Sequence, residues 1–360
     1  MSDYLKDQII TYIGNKRKIL PFIERSLNQI GIKDYTFLDL FSGSGIVSRL
    51  AKVHGAKKII ANDLEYYSMV LNSVFLRNEE GNKKEFEDIK QDILSRPSWE
   101  GWVCENYAPK DDNDIQRGER CFYTRENALL IDSYLEALRN VPCEVAYMLL
   151  APLIYEASVH TNTSGVFKGF YKNKQGIGQF GGEGKNALQR ICGKIDPQFP
   201  VFCPNETENI IISADASTVV KDTQIVEQAK GIDITYIDPP YNQHPYGSNY
   251  FMLNAIAKCK CPDEISKVSG IPKDWNRSIY NKRVEGVMQL LKDIENVDSK
   301  YVLLSYSSEA YLPIKDMVAE LAKIGLITNL QEIDYNVFRG SRNLSNRPKK
   351  LQEYLITIRK

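Results

Sequence analysis

The stretch that decides the fold is Ile232-Asp233-Ile234-Thr235-Tyr236-Ile237-Asp238-Pro239-Pro240-Tyr241-Asn242. Its β-branched and aromatic beginning predicts a buried strand, and the two prolines end that strand because they remove backbone donors and cannot continue into a helix. Residues before a proline are extended, so the Asp238 carboxylate and the Pro239 carbonyl should lie near one another, beside the ring of Tyr241. In an open α/β sheet, ligands bind at this end of a strand. Two acceptors beside an aromatic ring suit a flat heterocycle with an exocyclic amino group, and the alternative is an ordinary strand followed by an exposed turn.

Length and composition favour a globular protein of about two domains, or of one large α/β domain with an insertion. The 360 residues are 43% hydrophobic and 26% charged, with a net charge of zero. No apolar run approaches the roughly 18 residues of a membrane span, and the N-terminus lacks the apolar core of a signal peptide. Seven scattered cysteines, of which only Cys259 and Cys261 are close, do not form a zinc pattern. We therefore expect a cytoplasmic protein with reduced thiols, no metal site and no membrane partner.

A βαβ unit is predicted near the N-terminus. Strands at residues 35–40 and 58–63 flank a helix at Ile46–His54, and the turn before that helix carries Gly43 and Gly45. Asp63 ends the second strand 24 residues after Asp39, near the roughly 20-residue offset at which an acid reaches a ribose. Two glycines instead of three do not indicate phosphate binding, so a nucleoside ligand without a pyrophosphate fits better. A helix is also expected at residues 66–77, closed by Gly81. The pattern loosens from Phe86, and residues 97–116 are expected to form an irregular connection.

The βαβ unit resembles the S-adenosyl-L-methionine motif of class I methyltransferases, and Tyr12-Ile13-Gly14-Asn15-Lys16 resembles the N-terminal motif of DNA adenine methylases. A further acid follows the predicted strand 208–213 and resembles the residue that binds the adenine of this cofactor. The resemblance implies S-adenosyl-L-methionine as cofactor. It implies these cofactor residues: Tyr12, Lys16, Asp39, Phe41, Ser42, Gly43, Gly45, Asp63, Asp215 and Ala216.

The motif Asp238-Pro239-Pro240-Tyr241 resembles the catalytic motif of DNA methyltransferases that modify the amino group of adenine. The order of the motifs is similar to that of the α group, the D12 class. This similarity implies a catalytic domain of residues 1–100 and 206–360, interrupted by a target-recognition domain at residues 101–205. The implied fold is α/β and Rossmann-like, with a seven-stranded, mostly parallel sheet that ends in a C-terminal antiparallel hairpin. The insertion should be mainly helical, with helices at residues 124–139 and 143–159.

Two basic segments are predicted to contact nucleic acid. Residues 160–184 are rich in glycine and aromatic residues, a pattern that could enter a DNA groove, and the alternative is a surface hairpin with a disordered tip. The loop of the C-terminal hairpin is expected to hold phosphates, and the alternative is an ordinary basic loop. The basic residues of the first segment are Lys168, Lys172, Lys174 and Lys185, and those of the second are Arg339, Arg342, Arg347 and Lys349.

The resemblance implies methyl transfer to N6 of an adenine flipped out of double-stranded DNA that carries a specific short target. A cognate restriction endonuclease is the expected companion. Four alternatives remain open: the same chemistry on RNA adenine, on a protein amide or on cytosine N4, and a catalytically silent nucleic-acid-binding module. Cytosine-N4 enzymes more often carry serine where Asp238 stands, and an intact motif argues against the silent module.

Overall fold

The computed structural model describes residues 3–10, 12–221, 231–336 and 350–360. Seven strands form a single sheet in the order β3-β2-β1-β4-β5-β7-β6. Strands β1 to β5 are parallel, and β7 runs antiparallel between β5 and β6. The strands are β1 Thr36–Asp39, β2 Lys58–Asn62, β3 Glu208–Ile212, β4 Ile232–Ile237, β5 Ser299–Ser307, β6 Leu326–Asn336 and β7 Lys350–Arg359. The predicted Rossmann-like sheet with its closing hairpin is confirmed.

Helices cover both faces of the sheet and form a separate group beside it. In the described residues they are α1 Leu20–Ile30, α2 Ile46–His54, α3 Tyr66–Phe75, α4 Lys83–Ser95, α5 Trp102–Tyr107, α6 Arg125–Leu138, α7 Cys143–Val159, α8 Leu188–Ile191, α9 Ala216–Val219, α10 Tyr246–Asn249, α11 Phe251–Ala257, α12 Arg283–Asn296 and α13 Ile314–Ile324. Short 3-10 turns occur at Asp3–Leu5, Lys16–Lys18 and Ile279–Asn281. None of these helices is long and apolar enough to cross a bilayer.

Side chains of the central strands point alternately to the two faces of the sheet, and each face packs into its own layer of the hydrophobic core. Phe37 of β1 and Ile234 of β4 pack with α1 and α2 on one face, whereas Leu38 and Ile237 pack with α12 and α13 on the other. Successive strand residues point to opposite faces, so a strand buried on both faces reads as a continuous apolar run. This arrangement leaves the carboxyl ends of β1 to β4 together at one edge.

The helices of the predicted insertion share a core with the catalytic part of the chain. Tyr107, Ile131 and Leu150 of α5 to α7 belong to one buried cluster with Phe75 of α3 and Phe251 of α11. Residues 101–205 contain α5 to α8 and an isolated bridge between Lys172 and Gly178. Their boundary as a target-recognition domain stays a prediction.

Several local predictions differ from the structure. The apolar spacing of residues 16–29 predicts a helix from Lys16, but Lys16–Lys18 forms a 3-10 turn and α1 starts at Leu20. Helix α3 ends at Phe75, so Gly81 does not close it. Helix α5 lies in the stretch that was expected to be irregular, and α4 spans the point at which the predicted pattern loosens. Helix α4 was missed because it buries only a narrow stripe among charged residues.

Candidate active site

A cleft of about 670 Å³ opens at the carboxyl ends of the parallel strands. Its walls combine residues that follow β1 to β4 with residues of α10 and of the segment 276–281. The predicted site residues that line it are Tyr12, Phe41, Gly43, Asp63, Asp215, Ala216, Asp238 and Pro240. Residues that sequence reasoning did not single out also line it, among them Glu65, Tyr246, Asn276 and Tyr280.

The glycine turn between β1 and α2 is fixed by Asp63 at the tip of β2. Gly43 has a φ of 50°, which disfavours residues with a side chain, and a Cβ there would lie 2.1 Å from the Tyr12 hydroxyl oxygen. The Gly43 N–H donates to Asp63 Oδ2 at 2.8 Å, and the Glu65 N–H donates to Asp63 Oδ1 at 2.8 Å. Burial raises the pKa of Asp63 to about 6. Both oxygens of Asp63 therefore hold the backbone of the turn and also face the cleft.

Three of the predicted cofactor residues support the turn without lining the cleft. Asp39 is almost fully buried and accepts a hydrogen bond from the Ser48 hydroxyl at 2.7 Å on Oδ2, while burial raises the pKa of Asp39 to about 7. The Ser42 N–H donates to the Asn62 carbonyl at 2.8 Å, and Gly45 adopts a left-handed φ of 74° at the start of α2.

Asp215 caps the short helix α9. Its Oδ1 accepts from the Ser217 N–H at 2.9 Å and from the Ser217 hydroxyl at 2.6 Å. Ala216 follows at the start of the helix, and both residues line the cleft. Their contribution to cofactor binding stays a prediction.

Asp238 lies at the tip of β4 and makes an ion pair with Lys16. The Lys16 ammonium is 3.0 Å from Asp238 Oδ1, and the side chain of Asp238 is 18% exposed. Gly14, in a left-handed turn, and Asn15, which caps the 3-10 turn, direct Lys16 toward β4. Lys16 was predicted to bind cofactor, but the structure brings it to the catalytic motif and not into the lining of the cleft.

A second carboxylate, Glu353 of β7, completes the surroundings of Lys16. Glu353 Oε2 lies 3.7 Å from the Lys16 ammonium, and the Tyr241 hydroxyl donates to Glu353 Oε1 at 3.3 Å. Burial raises the pKa of Asp238 to about 6; within that balance Lys16 lowers the pKa and Glu353 raises it. Burial also acts to lower the pKa of Lys16, but the neighbouring Asp238, Tyr241 and Glu353 hold it well above its ordinary value.

A smaller cleft of about 290 Å³ adjoins the first one. The two share Pro240 and Tyr246 as walls, and the smaller cleft is also lined by Pro239 and Tyr241 of the motif. Asn249 completes one side, and its buried side-chain oxygen has no hydrogen-bond partner within the described part of the chain. The catalytic motif therefore separates two neighbouring clefts.

The first basic segment, residues 160–184 and called the basic ribbon below, follows α7. Lys168, Lys172, Lys174 and Lys185 are all exposed. Asn162 anchors the ribbon, because it is fully buried and its side chain bonds to the Cys121 carbonyl at 2.8 Å and to the Gly181 N–H at 3.0 Å. The ribbon also reaches the smaller cleft, since the Phe167 N–H donates to the Asn249 carbonyl at 2.7 Å. Arg339, Arg342, Arg347 and Lys349 lie outside the described residues.

Comparison with known proteins assigns this arrangement to a family. A model of the D12 class N6 adenine-specific DNA methyltransferases matches residues 12–187 and 203–319. The Type II methyltransferase M.CviAII of Paramecium bursaria Chlorella virus 1 is 31% identical, over 97% of this chain and 98% of that protein. The chain belongs to the D12 class of N6 adenine-specific DNA methyltransferases. This family membership confirms the predicted adenine-N6 DNA methyltransferase.

Two further relatives of this D12-class chain match it along nearly its whole length. The Type II methyltransferase M.NlaIII of Neisseria lactamica is 29% identical, over 98% of this chain and 99% of that protein. The modification methylase LlaI of Lactococcus lactis subsp. lactis is 28% identical over 97% of this chain, which corresponds to 55% of the longer relative.

Two acidic residues of the D12-class site were missed by sequence reasoning. Glu65 is buried, and its carboxylate accepts from the side-chain amides of Asn254 and Asn276; nothing in its local sequence marks that role. For Glu353, the sequence does contain a pattern that could have identified the residue. It shares one face of β7 with the buried Leu355 and Thr357, so the period of two places a carboxylate on an inward-facing position.

Proposed function

We propose that this methyltransferase transfers a methyl group from S-adenosyl-L-methionine to N6 of an adenine in double-stranded DNA with a specific short target. It would serve as the modification enzyme beside a cognate restriction endonuclease. The observation that carries the proposal is the position of Asp238-Pro239-Pro240-Tyr241 between two adjoining clefts, one for the methyl donor and one for the base. The names of the relatives, which are Type II and modification methylases, support the partnership with a restriction enzyme.

The charge of the larger cleft favours S-adenosyl-L-methionine. Four carboxylates line this cleft: Asp63, Glu65, Asp215 and Asp238. No lysine or arginine is among the lining residues in the described part of the chain. An acidic cleft favours a ligand that carries a sulfonium cation and disfavours a phosphorylated nucleotide. The Gly43 N–H is already engaged by Asp63, so this turn amide is not free for a phosphate.

The motif supplies acceptors for the amino group of adenine. The N6 lone pair is conjugated into the ring and is a poor nucleophile. Because Lys16 engages Asp238 Oδ1, the second oxygen, Oδ2, accepts one N6–H, and the Pro239 carbonyl accepts the other. These bonds orient the lone pair and stabilise the positive charge that develops on nitrogen. Bound S-adenosyl-L-methionine supplies an electrophilic methyl group on its sulfonium sulfur.

DNA must present its base outside the duplex for this reaction. N6 cannot be reached inside a stacked helix, so the adenine is flipped out, and Tyr241 is its stacking partner in the smaller cleft. The ribbon lysines contact backbone phosphates, as do Arg339, Arg342, Arg347 and Lys349 of the hairpin loop. We assign the activity to the cytoplasm, which agrees with seven free cysteines.

Transfer of a labelled methyl group tests the proposal. The protein is incubated with labelled S-adenosyl-L-methionine and equal amounts of duplex DNA, the matching RNA and an unrelated protein, and the labelled product is digested and identified. We expect label only in N6-methyladenine of duplex DNA, at a small subset of adenines, and far less with Asp238→Ala. Label in RNA, in protein or on cytosine N4 would contradict the proposal.

A further inference from the structure

Glu353 connects three segments that are distant in sequence. It lies on β7, which pairs antiparallel with β5, and it contacts Lys16 near the N-terminus and Tyr241 of the catalytic motif. The residue is 5% exposed. Its carboxylate is thus enclosed at the point where the catalytic strand, the N-terminal segment and the closing hairpin meet.

This carboxylate is not explained by stability alone. Burying a charge is costly unless it is paired and fully hydrogen-bonded. Glu353 Oε2 has no hydrogen-bond partner among the described residues, because the Lys16 ammonium at 3.7 Å is too distant. An apolar side chain or a glutamine would fill the same space on β7 at a lower cost. The charge itself therefore requires a reason.

The charges around Asp238 supply that reason. Lys16 and Asp238 alone make a neutral pair, whose cation opposes the positive charge that forms on N6 during methyl transfer. The N6 lone pair forms the bond to the methyl group while the sulfur–methyl bond breaks. The electron pair of the broken bond returns to sulfur, and the positive charge passes to N6 until an N6 proton is lost to solvent. With Glu353, the three side chains carry a net charge of minus one, which favours that transition state.

We propose that Glu353 is a positioning residue of the methyl transfer, which holds Lys16 and Tyr241 and gives the Lys16–Asp238 pair its net negative charge. The inference rests on the proposed function, since it concerns the same site. Glu353 acts through Lys16 and Tyr241 and does not touch the base.

The first test is Glu353→Gln, which keeps the size of the side chain and removes its charge. The single-turnover rate on duplex DNA should fall roughly ten- to hundredfold, the size expected for a lost charge-assisted interaction, while the affinity for S-adenosyl-L-methionine changes less than about threefold. Glu353→Asp, which keeps the charge on a shorter side chain, should recover part of the rate. Thr357→Val, on the same buried face of β7, is the matched control and should match the wild type.

The second readout is the pH profile, which a purely structural role would not move. Removing the Glu353 carboxylate takes away a charge that raises the pKa of Asp238. The fall of the methylation rate on the acid side of the pH profile should therefore occur at lower pH in Glu353→Gln than in the wild type. The variant retains the other ionisable groups around Asp238. They are Lys16, Asp39, Tyr12, Tyr236, Tyr241 and Tyr246.

Two outcomes overturn the inference: a wild-type rate and pH profile in Glu353→Gln, or a lowered melting temperature with an unmoved profile. Carboxyl titration by ¹³C NMR of the wild type and Glu353→Gln keeps this test separate from the proposed function. If the wild type fails to methylate DNA, the proposed function fails, whereas an Asp238 titration that shifts down in Glu353→Gln still supports the charge coupling. An unshifted titration refutes it.

Discussion

Asp238 is a carboxylate whose chemistry is set by its immediate neighbours. It makes an ion pair with Lys16 at 3.0 Å, and its side chain is partly exposed at the tip of β4, so its truncation opens no large cavity. Asp238→Ala should lose about a hundred- to a thousandfold in single-turnover rate, with fold and cofactor affinity kept. Asp238→Asn keeps the shape and one acceptor, so it should retain more activity than alanine and far less than wild type.

A matched control lies on the same strand. Asp233, at the other end of β4, accepts from the Thr36 N–H and pairs with Lys300. Asp233→Asn should leave the rate unchanged. A wild-type rate in Asp238→Ala would refute the mechanism, and loss of the folded state would make Asp238 a structural turn residue.

The pH dependence of the reaction follows from the pKa of Asp238, which is raised to about 6. The carboxylate form accepts from N6, and protonation removes that acceptor as the pH falls. The value of kcat/KM should therefore be constant above this pKa and decline below it, with half of the activity lost near pH 6. A rate that stays flat down to about pH 5 would show that the charge on Asp238 is not required.

Asp63 has two roles that one substitution can separate. Its oxygens hold the N–H groups of Gly43 and Glu65 while facing the cleft. Asp63→Ala should weaken the binding of S-adenosyl-L-methionine by about 1.5–3 kcal/mol, or roughly ten- to hundredfold. Calorimetry measures this change directly. Unchanged affinity would mean that Asp63 only supports the turn.

At the scale of elements, the salt dependence of DNA binding tests whether the basic ribbon contacts phosphates. Replacing Lys168, Lys172 and Lys174 with alanine should weaken DNA binding and lower the slope of log K against log salt, since each phosphate contact contributes about 0.9. Lys174 should contribute less than the other two, because it already pairs with Glu183 at 3.4 Å.

The control for the ribbon replaces exposed lysines elsewhere, Lys84 on α4 and Lys323 on α13. This variant should keep the wild-type slope, and both variants should keep their cofactor affinity. An unchanged slope in the ribbon variant together with weaker cofactor binding would show that the ribbon is structural.

Elements with a strong local pattern were predictable, and those defined by tertiary contacts were not. Helix α2 was predicted at its observed bounds, Ile46–His54, because its period and its closing Gly55 are local signals. Helix α4 buries only Phe86, Lys90 and Ile93, and one of these is a lysine whose ammonium bonds to the Pro197 carbonyl. A hydrophobic pattern cannot reveal a contact made across more than a hundred residues.

The same distinction applies to the site. The residues of the cleft that follow strand ends, such as Asp63 and Asp238, were predictable because parallel strands bring their carboxyl ends together. The pairing of Lys16 with Asp238 and Glu353 was not, since it depends on how the N-terminal segment and β7 pack around β4.

For the whole molecule, the shared core predicts that the sheet and the helical part unfold together. Phe75 of α3 is buried in the cluster that includes α5 to α7, and the Arg49 guanidinium lies 3.8 Å from its ring centroid. Phe75→Ala should cost about 3–5 kcal/mol of the free energy of unfolding. Urea unfolding followed by circular dichroism and by fluorescence should give one coincident transition.

Leu94→Ala is the control for this substitution, because Leu94 is 41% exposed and its loss should change stability by less than about 0.5 kcal/mol. Two separate transitions in the wild type would instead mean that the helical part folds as an independent domain, in agreement with the predicted boundary at residues 101–205.

The pairing of β1 with β4 at the centre of the sheet also means that β1 is synthesised long before its partner strand. The Thr36 N–H bonds to an Asp233 side chain 197 residues later, so a ribosome that adds roughly 5–20 residues per second needs on the order of 10 to 40 seconds to deliver the partner strand. During that interval β1 has an open edge of the kind that promotes aggregation. The nascent chain should therefore depend on chaperone protection most strongly while the helical part is being translated.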